Sequence, residues 1–171
     1  MTLYENFMNF HFSKYDYRGI FNTNHKKVKM KTLYEATTQA IGGRNGHVKS
    51  DNSPVDFNLS VPKSMGGAGG NGANPEQLFG AAYAACFGGA IQAVAKNEGI
   101  EIDEDELSVT AIIGFCKDDD GFFLEATLDC YIPGVDLETG EDLVEKAHEA
   151  CPFSKATRDN ITVNLNLLID E

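Results

Sequence analysis

The sequence predicts an α+β fold in which antiparallel β-sheet packs on helices, and three observations predict it. A long apolar segment opens with helix-start chemistry at Asn74-Pro75 and closes at Gly99. Two strand-like runs, Leu107 to Cys116 and Phe122 to Ile132, flank the turn-forming Lys117-Asp-Asp-Asp-Gly121. The element order is strands, long helix, hairpin, helix, strand, without the steady strand–helix alternation of a parallel sheet.

Taken in order, Thr32 to Ala40 is rich in β-formers and reads as a strand. Gly42-Gly43-Arg44-Asn45-Gly46 is turn chemistry. His47 to Ser50 and Val55 to Val61 read as short strands, and Pro62 ends the second. A Gly-rich loop, Met65 to Ala73, follows. It lacks the Lys-Ser/Thr of a phosphate-binding loop, so nucleotide binding is rejected. In the long helix, Asn74 is the N-cap, Pro75 takes the first helical position, and Glu76 complements the helix dipole. Apolar residues lie nearly all round it, which predicts a central helix covered by other structure. Asp142 to Ala150 has helical spacing and stops at Cys151-Pro152, and Ile161 to Ile169 is the final strand.

The composition excludes several functions. The chain has 171 residues, a mass of 18.6 kDa and a net charge of −12, so it is a poor holder of a phosphate backbone. The longest unbroken apolar stretch, Leu78 to Ile91, is too short to span a bilayer and fits a core helix. Residues 1–29 differ from the rest. They carry five Lys or Arg against two acids and seven of the 17 aromatics, with no clear periodicity. They are read as an N-terminal extension that the fold does not need, and 30–171 as a single domain. The alternative is an arm that packs on the core or on a partner. No apolar leader is visible at the N-terminus, and the expected compartment is the cytoplasm.

The cysteines are Cys86, Cys116, Cys130 and Cys151, with no CxxC pair. In a reducing compartment a reactive thiol is of more interest than a lasting disulfide. Cys86 lies about 18 Å along the helix from Asn74, beyond the reach of the helix dipole, so a fixed cation has to activate it. Arg44 and Arg158 are the candidates outside the extension. The plainer reading of Cys86 is an inert small core residue. Cys116 and Cys130 are read as core. His148 and Cys151, one helical turn apart, make a sparse metal pair at best. Tyr83 and Phe87 read as core packing.

The residues then identify a family. Asn74-Pro-Glu-Gln-Leu-Phe-Gly-Ala-Ala-Tyr-Ala-Ala-Cys86-Phe, after a Gly-rich loop, resembles the first cysteine motif of the organic hydroperoxide resistance (Ohr) proteins of the OsmC/Ohr superfamily. Ala147-His-Glu-Ala-Cys151-Pro-Phe-Ser-Lys-Ala-Thr-Arg158-Asp-Asn-Ile resembles their second, and the Gly42–Gly46 turn resembles their arginine-bearing loop. The resemblance runs from about Lys31 to Glu171. Phe153 and Lys155 stand where that branch often has Tyr and Asn.

The resemblance implies β-sheets wrapped around long central helices in an intertwined homodimer, with the pocket at the subunit interface. It implies a thiol-dependent peroxidase that reduces alkyl and fatty-acid hydroperoxides to alcohols and protects against oxidative stress. Cys86 would be the peroxidatic thiolate, Cys151 the resolving thiol, and Arg44 with Glu76 the polar part of the site. It implies no bound cofactor and an external dithiol reductant, a lipoylated protein. The rival readings are an OsmC-type peroxidase with another substrate preference and a non-catalytic redox-sensing or ligand-binding dimer.

Overall fold

The computed structural model describes residues 31–51 and 53–169. The extension 1–29 lies outside the described residues. The chain divides into two units, Met1–Glu35 and Ala36–Glu171. In the first, residues 31–35 carry no regular structure. The second holds every element described below.

Strands β1 (Thr38–Ile41), β2 (His47–Ser50) and β3 (Asp56–Asn58) form a small antiparallel sheet with β2 in the middle. β1 is shorter than Thr32 to Ala40 predicts. Its register pairs Thr38 with Ser50 through Ile41 with His47, so among the described residues no strand pairs with the segment before Thr38, and β-propensity without a partner does not make a strand. Two single-turn 3₁₀ helices, Gly43–Asn45 and Lys63–Met65, turn the chain on either side of β2–β3.

Helix α1 (Pro75–Glu98) begins where Asn74 and Gln77 satisfy each other. The Gln77 main-chain N–H donates to Asn74 Oδ1 at 2.8 Å, and the Asn74 N–H donates to Gln77 Oε1 at 3.0 Å. Gly99, at φ 71°, ends it in the left-handed conformation. Strands β4 (Ser108–Lys117) and β5 (Phe122–Tyr131) pair antiparallel over ten residues each. Asp118 Oδ1 accepts the N–H groups of Asp120 and Gly121 at the hairpin tip.

Helix α2 (Leu137–Ala150) starts earlier than predicted because Asp136 caps it, accepting the Thr139 N–H at 2.8 Å. Helix α3 (Pro152–Thr157) is not foreseen by periodicity. Strand β6 (Val163–Leu168) lies beside β5 but runs parallel to it, which corrects the all-antiparallel expectation. The physical reason is the connection: α2 and α3 form a crossover that returns the chain to the same end of β5.

The core sits between the β4–β5–β6 sheet and the helices. Tyr83, Phe87, Ile91 and Val94 on one face of α1 meet Ala126, Leu128 and Cys130 of β5 and Leu143, Val144 and Ala147 of α2. By length and composition α1 could cross a membrane; here one of its faces is buried as the core helix. Its other face is not covered: Ala81, Ala82, Ala85, Gly89 and Ala93 are exposed. Leu128 is fully buried. Leu128→Ala is therefore expected to cost about 2–5 kcal/mol, read as a lower urea midpoint, a large share of the roughly 5–15 kcal/mol that holds a domain together.

Candidate active site

Two pairs of side chains stand out. The first is Arg44 with Glu76. Arg44 is carried on the tight turn between β1 and β2, where Gly42 and Gly43 take φ of 78° and 57°. A Cβ on Gly46 would lie 1.7 Å from the Ile41 carbonyl oxygen, so the turn closes only with glycine there. The guanidinium reaches the first turn of α1 and binds Glu76 through two parallel hydrogen bonds. Nη1 donates to Oε2 at 3.0 Å and Nη2 to Oε1 at 2.6 Å. Glu76 is 12% exposed at its side chain and Arg44 38%, so the carboxylate is the inner partner and the guanidinium faces outward. The Phe115 ring of β4 lies under the guanidinium, 5.0 Å from Cζ, and Phe122 stacks on Phe115. Arg44 holds the Glu76 carboxyl below the ordinary carboxylate range, chiefly by these hydrogen bonds.

The second pair is Cys86 with Cys151. Their Sγ atoms are 3.6 Å apart, although 65 residues separate them in sequence. Cys86 is at the start of the fourth turn of α1 and is half-buried; Cys151 is fully buried between α2 and α3. Both thiols are free, and the gap exceeds the S–S bond length by only about 1.5 Å. Burial pushes the Cys86 thiol up, the Phe153 main-chain N–H acts to lower it, and the neighbouring Cys151 raises it further. Sequence reasoning missed that N–H. Its signal was Cys151-Pro152, an N-cap followed by proline at the first helical position.

The structure thus joins the four predicted residues as two pairs, not as one cluster. Glu76 and Cys86 are ten residues apart on α1, about 15 Å of helical rise. Among the described residues no hydrogen bond joins Arg44 to either sulfur. Arg158, the other candidate cation, is engaged elsewhere. It donates to the His148 carbonyl oxygen at 2.9 Å and pairs with Glu149 at 3.2 Å, bracing the end of α2.

The remaining two thiols are held toward their protonated forms. Cys130 is core, and burial drives it up to about 12. Cys116 is not core, which corrects the sequence reading. It shares the outer face of β4 with Ser108, Thr110 and Ile112, above Gly114, and burial and Glu125 push its thiol up. The period-2 pattern did not identify this because Ile112 and Phe115 put large apolar groups on both faces of β4. His148 stacks loosely on Phe87, with burial lowering it, and it builds no metal cluster with Cys151 among the described residues. Tyr83 and Phe87 are fully buried core, as read. A groove of about 280 Å³ runs beside the site along α1, lined by Ala84, Ala85, Gly88, Gly89, Gln92, Leu107 and Val109.

Comparison with known proteins places this geometry. The family described as OsmC-like protein matches residues 67–166. The organic hydroperoxide resistance protein of Xanthomonas axonopodis pv. citri (strain 306) is 45% identical over 137 residues, covering 80% of this chain and 96% of its own. Organic hydroperoxide resistance protein OhrB of Bacillus subtilis (strain 168) is also 45% identical over 137 residues, covering 79% of this chain and 98% of its own. The crystal structure of the Bacillus subtilis OhrB protein superposes with a TM-score of 0.74 at 45% identity, over 80% of this chain and 100% of that one. An organic hydroperoxide resistance protein from Elizabethkingia anophelis gives a TM-score of 0.77 at 48% identity, over 82% and 100%. With motif order, fold and relatives in agreement, the chain belongs to the OsmC-like family, in its organic hydroperoxide resistance branch.

Proposed function

We propose that this protein is a cysteine-based peroxidase that reduces organic hydroperoxides to alcohols and so protects against oxidative stress. The observation that carries the reading is the 3.6 Å approach of the Cys86 and Cys151 sulfurs in a chain of this family. The Cys86 thiolate attacks the distal peroxide oxygen. The O–O bond breaks, and the alkoxide leaves as alcohol after taking a proton, with Cys86 as sulfenic acid. The Cys151 thiol then condenses with it, forming the disulfide and releasing water. An external dithiol, on this reading a lipoyl group carried by a protein, restores both thiols by exchange. No bound cofactor takes part, and the compartment is the reducing cytoplasm.

The activating cation comes from a second copy of the chain. Burial alone disfavours the Cys86 thiolate, and the Arg44–Glu76 pair sits about 15 Å of helical rise away in the same protomer. Antiparallel packing of α1 on a second α1 brings the start of one helix toward the middle of the other. The exposed small residues Ala81, Ala82, Ala85, Gly89 and Ala93 permit that close approach. A homodimer with its pocket at the interface therefore unites the two pairs. Arg44 then stabilises thiolate and peroxide oxygens, and Glu76 fixes its direction.

The exposed surface of α1 next to Cys86 is apolar, made by Ala82, Ala85 and Gly89. Four alkyl carbons gain about 3 kcal/mol from such a wall, so tert-butyl hydroperoxide is expected to exceed hydrogen peroxide by roughly a hundredfold in kcat/KM. Steady-state assays with dihydrolipoamide and with thioredoxin as donors test the reading. Equal efficiency toward both peroxides rejects the substrate class, thioredoxin preference rejects the donor, and a single stoichiometric oxidation marks a sensor instead of an enzyme.

A further inference from the structure

Three hydroxyls lie in the most apolar part of the molecule, where packing alone has no use for them. Tyr83 and Ser154 are fully buried and Thr157 is nearly so, within a nest of Phe79, Phe87 and Phe153 rings. Tyr83 Oη is 3.0 Å from Ser154 Oγ and 3.2 Å from Thr157 Oγ1. Thr157 Oγ1 also lies 3.1 Å from the carbonyl oxygens of both Phe153 and Ser154. One arrangement uses every proton: Ser154 donates to Tyr83, Tyr83 to Thr157, and Thr157 to those carbonyl oxygens. A phenylalanine at 83 would fill the same volume without a polar atom to satisfy.

The placement of the cluster is specific. Tyr83 is one helical turn before Cys86 on α1. Ser154 is one turn after Cys151, which is the N-cap of α3. The cluster is a polar link from α1 to the short helix that carries both the Cys151 sulfur and the Phe153 N–H. The Cys151 main chain is tied to α2 and α3 by the Cys151 N–H on Ala147 O at 2.8 Å and the Lys155 N–H on Cys151 O at 2.9 Å. Closing the last ~1.5 Å between the sulfurs thus depends on where α3 sits.

We propose that Tyr83, Ser154 and Thr157 are positioning residues that lock α3 onto α1 and set the speed at which Cys151 resolves oxidised Cys86. The proposal rests on the two-cysteine reading above. The Cys86 sulfenic acid has two fates. It condenses with the Cys151 thiol, giving disulfide and water, or it takes an oxygen from a second hydroperoxide, giving sulfinic acid and alcohol. The first fate is independent of peroxide concentration and the second is proportional to it. Within one turnover, the peroxide concentration that over-oxidises half of the enzyme is therefore the ratio of the resolution rate to the second-oxidation rate constant, whatever the rate of the first step.

The test uses the reduced full-length protein in a single turnover with excess tert-butyl hydroperoxide and no added dithiol, with sulfinic acid and disulfide quantified by intact mass. Tyr83→Phe, Ser154→Ala and Thr157→Val are expected to lower the half-over-oxidation concentration about tenfold, the scale of one lost buried hydrogen bond. Thr157→Ser, which keeps the hydroxyl, is expected to match wild type. Leu143→Ala, which loosens the core without touching the cluster, is expected to lower the thermal midpoint but not the threshold. If Tyr83→Phe does not fold, the Thr157→Val and Thr157→Ser pair carries the comparison. An unchanged threshold in folded hydroxyl-less variants, or an equal drop in Thr157→Ser or Leu143→Ala, overturns the proposal. Cys151→Ser separates the two levels: loss of disulfide and a collapsed threshold support the two-cysteine reading, and a wild-type threshold removes that reading with the proposal.

Discussion

Cys86→Ser is expected to abolish peroxide turnover, a loss of at least about a thousandfold, because a serine hydroxyl is not ionised near neutral pH and cannot replace a thiolate. Cys151→Ser is expected to behave differently. It should consume about one equivalent of peroxide and form no internal disulfide. The structure gives the reason for the asymmetry. The sulfurs are 3.6 Å apart, but Cys86 is half-buried and reachable, whereas Cys151 is fully enclosed between α2 and α3. On the proposed mechanism a peroxide therefore meets Cys86 first, and only the sulfenic acid meets Cys151. Peroxide consumption measured by titration, with intact mass to identify the product, checks both variants. The opposite pattern, with Cys86→Ser consuming an equivalent and Cys151→Ser inert, exchanges the two roles.

Arg44→Ala should slow the first step by roughly 10²–10³-fold, the usual cost of removing a fixed donor from developing negative charge. It should also move the pH profile of single-turnover oxidation toward higher pH, since burial already pushes the Cys86 thiol up and, in the proposed dimer, the variant removes the partner's opposing cation. The guanidinium is well placed to serve substrate: it is 38% exposed, backed by Phe115, and held bidentately from behind by Glu76. Glu76→Gln should give a smaller loss, because one hydrogen bond survives while the charge pairing does not. The sign of the acid response follows from Glu76. Its carboxyl titrates below the ordinary value of 4.5, so the clamp is complete above that pH and is lost as pH falls through the lowered value. Arg158→Ala should leave the first step intact, because that side chain braces the end of α2. A severe slowing by Arg158→Ala with a mild one by Arg44→Ala would reassign the cation.

Much of this architecture is legible in one dimension. Asn74-Pro75 and Gly99 mark α1 because caps are local chemistry, and Asp118 to Gly121 mark the hairpin for the same reason. The pattern is silent where elements are short or their partners distant. Six residues of α3 cannot establish a helical period, and the β5–β6 direction depends on a crossover that no local pattern encodes. Thr32 to Thr37 has strand-forming residues, but among the described residues no strand pairs with it. The core assignment of Cys130 was available from its place in a strand run, whereas the outward turn of Cys116 required the register against Phe123 and Glu125.

The sequence by itself singled out four side chains, Cys86, Cys151, Arg44 and Glu76, by their resemblance to family motifs, and α1 by its caps and apolar length. Tertiary structure alone decided how they associate. It brought two sulfurs 65 residues apart to 3.6 Å, and it tied Arg44 to Glu76 across 32 residues. It also left those two pairs at different points along one helix. The reason is that motif chemistry is carried by residue type and spacing, while distances across the fold are set by how α1, α2 and the sheet bury their apolar faces against one another.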